Sequence, residues 1–340
     1  MDSETFRGYK VLAADGSAVN IPYNPDADSF LRVDTHPRGG YNALHITPLF
    51  DMLNKTFTHL TIQPESRMDE IGALISMIKE NNFHEKTLIL ADRGFPSYNL
   101  LAHMLEKPNV AFSIRVKQNR SALREVAKLP MLELDCDIAF TLSTTQTNED
   151  KEKRHIFLQV PKKSKTGSKT RQARWYFPSP YTMRLRIVRF MLDSGEFETI
   201  ATNLPRDFAP EDIKAIYHLP WEIESAFRSA KYTLGLTNLH GRSDAFCSQE
   251  VYAALIAFNF VSRISRAAVV RQPENGVYAY KVNFKMATTL CREYLRTPNA
   301  DGTKLLEQIA RYSVPIRPGR ADQRKIRPKS FTGFVYRVAA

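Results

Sequence analysis

The spacing of apolar positions changes character several times along the chain. Residues 9–14 read as a strand running into Asp15-Gly16, and 41–50 and 55–63, rich in β-branched and aromatic side chains, read as two more, so three strands in succession predict an antiparallel start. In 68–81 the apolar residues Ile71, Leu74, Ile75 and Ile78 recur at helical spacing, after which Thr87, Leu88, Ile89, Leu90 and Ala91 return to a β-type run that ends at Asp92. A helix over 98–106 and a strand over 110–117 follow. Strands in a meander and then strands alternating with helices predict an α/β fold with a mixed sheet flanked by helices.

From 121 to 199 the runs 137–143, 155–161, 173–177 and 185–192 are short, of β type and separated by polar loops, which predicts a mostly β insertion. The last third is helical, with helices expected over 210–218, 220–232, 248–268, 284–296 and 303–311, and a basic tail beyond Pro315. The expected organisation is a core in two parts, 1–120 and 200–270, interrupted by the insertion 121–199 and followed by a helical region 271–340.

Composition narrows the function classes. With 340 residues, 43% of them hydrophobic, the chain is long enough to bury a substantial core. Forty-eight Lys and Arg against 36 Asp and Glu leave a net charge of +12, which suits a polyanionic partner. No apolar run approaches the ~18 residues that span a bilayer, and no signal peptide precedes Asp2, so the expectation is a cytoplasmic protein without a membrane partner. Cys136, Cys247 and Cys291 lie far apart and the eight histidines are scattered, so a metal would have to be held by carboxylates. One loop, 162–174, carries Lys162, Lys163, Lys165, Lys169, Arg171 and Arg174 and no acid, and reads as a phosphate-contacting segment or a solvated surface.

Three acids stand out by position. Asp15 follows the first strand, although Asp-Gly is also an ordinary turn signal, and Asp92 ends the strand 87–91, where a turn aspartate before Gly94 is the bland alternative. In 220–234, Ile223, Phe227, Ala230 and Leu234 form a burial stripe, while Glu224, Arg228 and Lys231 share another helix face, open to reading either as a site or as a solvated face. Three converging carboxylates suffice for Mg²⁺, which prefers oxygen ligands.

The string Ala91-Asp92-Arg93-Gly94-Phe95 with its preceding strand, together with Tyr217, Glu224 and Lys231, resembles the DDE transposases of bacterial insertion sequences, in the branch with a tyrosine, arginine, glutamate, lysine signature. Trp221, Ile223 and Phe227 also sit where members have similar residues. The resemblance covers most of the chain and implies a ribonuclease-H-like fold, with Asp15, Asp92 and Glu224 as catalytic metal ligands for Mg²⁺ or Mn²⁺. It further implies that Tyr217 and Lys231 contact phosphates near the cut strand, and that the protein acts on double-stranded DNA, as a homodimer when bridging two transposon ends.

Pro220 stands where the signature arginine belongs; proline fits a first helical turn, and Arg228 is the candidate replacement cation. Trp175 reads either as a base-stacking residue or as core, and Phe197 lies near the position of the tryptophan used by hairpin-forming relatives. Only one strand precedes Asp15, so the expectation is a transposase shortened at its N-terminus. The alternatives are an inactive DNA-binding or oligomerising remnant that inhibits a complete transposase, and a metal-dependent nuclease, which leaves the Tyr217 to Lys231 spacing unexplained.

Overall fold

The computed structural model describes residues 3–117, 123–160, 174–219, 222–274 and 277–317. In chain order the strands are β1 (Lys10–Ala14), β2 (Ser17–Ile21), β3 (Phe30–Arg32), β4 (Gly40–Asp51), β5 (Thr56–Pro64), β6 (Thr87–Ala91), β7 (Val110–Arg115), β8 (Leu134–Ser143), β9 (Ile156–Phe157), β10 (Tyr181–Met191), β11 (Phe197–Thr202), β12 (Tyr280–Val282) and β13 (Ser313–Pro315). The helices are α1 (Glu70–Glu80), α2 (Tyr98–Leu105), α3 (Asn148–Glu152), α4 (Pro210–His218), α5 (Glu222–Tyr232), α6 (Asp244–Ala267), α7 (Phe284–Arg296) and α8 (Gly302–Arg311). The chain divides into two compact units, one of residues 1–15 and 69–220, the other of 16–68 and 221–340.

In the first unit β1, β6 and β7 run parallel, with Ala14 opposite Ala91 and Ala91 opposite Ile114. Their near-continuous apolar sequences are buried, as strands covered on both faces require. Helix α1 buries Leu74, Ile75, Met77 and Ile78, and α2 buries Leu100, Leu101 and Met104. Both start on a side-chain cap: Asp69 accepts from the Gly72 N–H and Ser97 from the Leu100 N–H. The sheet continues past β7 in the order β11, β10, β8, β9, antiparallel until the last pair. The strands of the expected insertion therefore extend the sheet of the core.

Within that stretch two expectations change. The run 155–161 yields only the two-residue β9, and the described part of 173–177 forms no strand. Pro178 and Pro180 deny the following backbone two ladder donors, and Trp175 and Phe177 instead pack on Tyr181, at 5.3 and 5.5 Å between ring centroids, with Phe177 also 4.6 Å from His103. Trp175 is thus a half-buried packing residue here.

In the second unit β4 is the hub, pairing antiparallel with β2, β3 and β5. Strands β2 and β3 were not anticipated, because short runs such as FLR carry too little pattern. Helix α6 docks beside the start of β5 through polar as well as apolar side chains. Phe57 and Phe258 meet at 5.0 Å, while the Asn259 amide both accepts from the Phe57 N–H and donates to its C=O, each at 2.7 Å. Ser262 donates to Lys55 O at 2.6 Å and Arg266 to Asn54 O at 3.2 Å, so residues 259, 262 and 266 satisfy backbone groups at the start of β5 and in the turn before it from one helix face. The helix begins four residues before the expected 248, because Ser243 caps it and Asp244 accepts from Ser29 N and Oγ. Beyond it, α6, α7 and α8 close over Val261, Ala287, Cys291, Leu305 and Ile309, and β12 pairs with β13.

Candidate active site around Asp92

The register of β1 and β6 places Asp15 and Asp92 at equivalent positions, each the first residue beyond a paired alanine at the carboxyl end of its strand. Parallel neighbours in register bring the two acids to the same edge of the sheet, which their separation in sequence conceals. Asp92 is about half exposed, and its Oδ1 lies 3.0 Å from Arg115 Nη1.

Arg115 is shared. Its Nη2 and Nε donate to Glu198 Oε2 at 2.7 and 3.1 Å, and Arg93, next to Asp92, donates to the same oxygen at 2.7 Å. Glu198 is only 1% exposed, so this is a buried carboxylate held by two arginines. Burial opposes its charge, but the hydrogen bonds from Arg93 and Arg115 prevail and hold its carboxyl below the usual range. Hydrogen bonding to Glu198 in turn raises the pKa of Arg93. Arg93 Nε is buried and has no hydrogen-bond partner among the described residues.

Tyr217, in the last turn of α4, joins the same cluster. The Arg115 guanidinium lies 5.1 Å above its ring, Phe190 packs edge-on at 5.6 Å, and its hydroxyl is hydrogen-bonded to Glu198. Burial is the main cause of its raised pKa. Neither Arg115 nor Glu198 was singled out in the sequence. The available signal was a charged residue within a β-type run, since burial of such a residue requires a partner.

Glu224, Arg228 and Lys231 lie on α5 in the second unit. Ile223, Ala226, Phe227 and Ala230 are its buried residues, and Leu234, expected in the stripe, is half-buried beyond the helix end. Glu224 and Arg228 are exposed and form no ion pair with each other. Lys231 differs from them: its Nζ donates to Ser17 Oγ at 2.7 Å and to Ala18 O at 2.8 Å, and burial lowers its pKa. Arg174 is exposed and lies 3.3 Å from Asp69. Lys162, Lys163, Lys165, Lys169 and Arg171, like Pro220, Trp221 and the tail from 318, lie outside the described residues. Among the described residues, no three His, Cys, Asp or Glu side chains gather closely enough to hold a metal ion, and no helix is long and apolar enough to cross a membrane.

The family model described as the transposase DDE domain matches residues 6–260, three quarters of the chain. The chain belongs to this family. Asp15, Asp92, Glu198, Tyr217 and Glu224 all fall inside the matched transposase domain, whereas α7 and α8 lie beyond it. No curated protein matches the chain. Among solved structures it is similar to the cryo-EM structure of a piggyBac transposase synaptic complex with hairpin DNA, at 11% identity and a TM-score of 0.47. That match covers 92% of this chain and 59% of the piggyBac chain, so this chain spans under two thirds of that protein.

Proposed function

We propose that this chain is the catalytic part of a DDE transposase, cutting DNA at transposon ends and joining the freed 3′-OH to target DNA, with Asp15, Asp92 and Glu224 as its acids. The observation that carries the reading is the register of β1 and β6, which sets Asp15 and Asp92 side by side at one sheet edge inside the family's domain. The metal would be Mg²⁺ or Mn²⁺, because carboxylate oxygens are the ligands hard divalent cations select; what supports it is the chemistry of these donors and the shared sheet edge of Asp15 and Asp92, not a gathered set of three among the described residues. Held there, such a metal would supply Lewis-acid activation of the attacking oxygen and stabilisation of the leaving oxygen.

The chain's own residues do the rest. Asp15 and Asp92 would supply ligand oxygens from the carboxyl ends of β1 and β6, and Glu224 a third from α5. Arg115, fixed by Glu198, offsets the charge of Asp92 before any ligand arrives. Lys231, Arg228 and Tyr217 bind phosphates of the cut strand, while Lys162, Lys163, Lys165, Lys169, Arg171 and Arg174 hold duplex further out. The partner is double-stranded DNA, and two copies of the chain bridge a pair of ends.

A supercoiled plasmid carrying the element's ends tests this directly. The wild-type chain is expected to nick it with Mg²⁺ and to yield strand-transfer products, while Asp15→Asn, Asp92→Asn and Glu224→Gln bind DNA but leave it intact. Nicking by Asp92→Asn at the wild-type rate contradicts the assignment.

A further inference from the structure

Helix α7 lies outside the matched transposase domain and is packed into a small core of its own with α6 and α8. Residues 261–317 carry ten Lys and Arg against four Asp and Glu, half of the net charge of the chain. That charge is arranged. On α7 the buried residues are Ala287, Thr288 and Cys291, and a separate line along the helix carries Lys285, Thr289, Arg292 and Arg296 at i, i+4, i+7 and i+11, all exposed. On α8 the same spacing puts Lys304, Gln308 and Arg311 on an exposed face away from buried Leu305 and Ile309. None of these five cations forms an ion pair among the described residues, and the nearest acid on α7, Glu293, lies on the flank of its basic face.

We infer that the exposed face of α7, Lys285-Arg292-Arg296, is a second DNA-binding surface that tracks the phosphate backbone of duplex DNA at a distance in sequence from the catalytic acids. Eleven residues of helix span about 16 Å, roughly the axial length of five base pairs, so three cations on one line can meet phosphates on a single side of a duplex. Among the described residues the cations of this face form no ion pair, and its side chains are exposed, so no packing partner accounts for their alignment. Phosphate contacts from such a line of cations contribute affinity without sequence discrimination.

The inference rests on the reading that the protein works on DNA, and the test separates the two. Binding of a fluorescent duplex is measured by anisotropy across a salt series for the wild-type chain, for the triple variant Lys285→Gln, Arg292→Gln, Arg296→Gln, and for the charge-conserving triple variant Lys285→Arg, Arg292→Lys, Arg296→Lys. Thermal melting checks that each is folded. The neutral variant is expected to show a slope of log affinity against log salt smaller by about 2.7, at ~0.9 for each lost phosphate contact, while the charge-conserving variant keeps the wild-type slope. An unchanged slope in the neutral variant, or no binding by the wild-type chain, overturns the inference. If the slopes behave as expected but wild-type protein does not nick a plasmid with Mg²⁺, the DNA surface stands and the catalytic reading falls.

Discussion

The surroundings of Asp92 and of Glu224 are opposites. Asp92 sits at a strand end within a charge-balanced cluster in which Arg115 bridges it to buried Glu198, Arg93 closes the other side, and Tyr217 lies under the guanidinium. Glu224 stands exposed on α5, with no pairing to Arg228 one turn away, and the only cation of that face drawn inward is Lys231, held by Ser17 and Ala18. One acid is positioned by a network before any ligand binds, while the other is carried by a helix and owes its placement to the apolar stripe behind it. The comparison predicts that damage near Asp92 propagates into stability, whereas damage at Glu224 stays local to chemistry.

The largest expected effect is on catalysis. Asp92→Asn lowers Mg²⁺-dependent nicking by on the order of 10³-fold or more, as loss of a group acting within a catalytic unit does. Chevron or urea unfolding of the same variant is expected to move little, because Asp92 is half exposed. Next comes Glu198→Ala, which leaves two arginines facing a vacated buried site and costs about 3–5 kcal/mol in urea unfolding. A loss below ~1 kcal/mol contradicts the network described for the first unit. Asn259→Ala removes both hydrogen bonds to Phe57 and is expected to cost about 1–2 kcal/mol without altering nicking chemistry. Glu224→Gln sharpens the contrast from the other side: it abolishes nicking with a stability change within ~0.5 kcal/mol.

The smallest effect is one of pH. Because the Glu198 carboxyl is held below its ordinary range when folded, its contribution is present above the unfolded value near ~4.3 and is lost as pH falls through the lower folded value. The stability gap between wild type and Glu198→Gln is therefore expected to be constant from neutral pH down to about 5 and to narrow in more acid solution. A gap that widens on acidification contradicts this sign.

How much of this was legible in the sequence follows from the range of each interaction. Local periodicity was enough for β1, β4, β5, β6, α1, α2, α4 and α7, whose bounds depend on neighbours within a few residues. It was enough also for the buried face of α5. Short pairs such as β12 and β13 were invisible, since three residues hold no period and their pairing spans α7 and α8. The Glu198 cluster was invisible for a related reason: Arg93, Arg115, Glu198 and Tyr217 come from the region after β6, from β7, β11 and α4, and nothing local to any of them names the others. The expected insertion showed its short strands through their composition, but not their pairing: β10 reaches the core sheet through β11, whose partner β7 lies about eighty residues earlier. That Asp15 and Asp92 each follow a strand was readable because a strand that ends in Asp is a local pattern.

The central proposal is that Asp15, Asp92 and Glu224 serve one metal-dependent site. Mn²⁺ binding by the full chain on duplex DNA, followed by the loss of the free-ion signal in electron paramagnetic resonance, tests it without requiring turnover. The account predicts that Asp15→Asn, Asp92→Asn and Glu224→Gln each weaken Mn²⁺ binding by at least about tenfold, on the order of the loss seen when a partner of a metal site is removed, while Arg228→Gln leaves it unchanged. Wild-type Mn²⁺ affinity in the Glu224→Gln protein contradicts it.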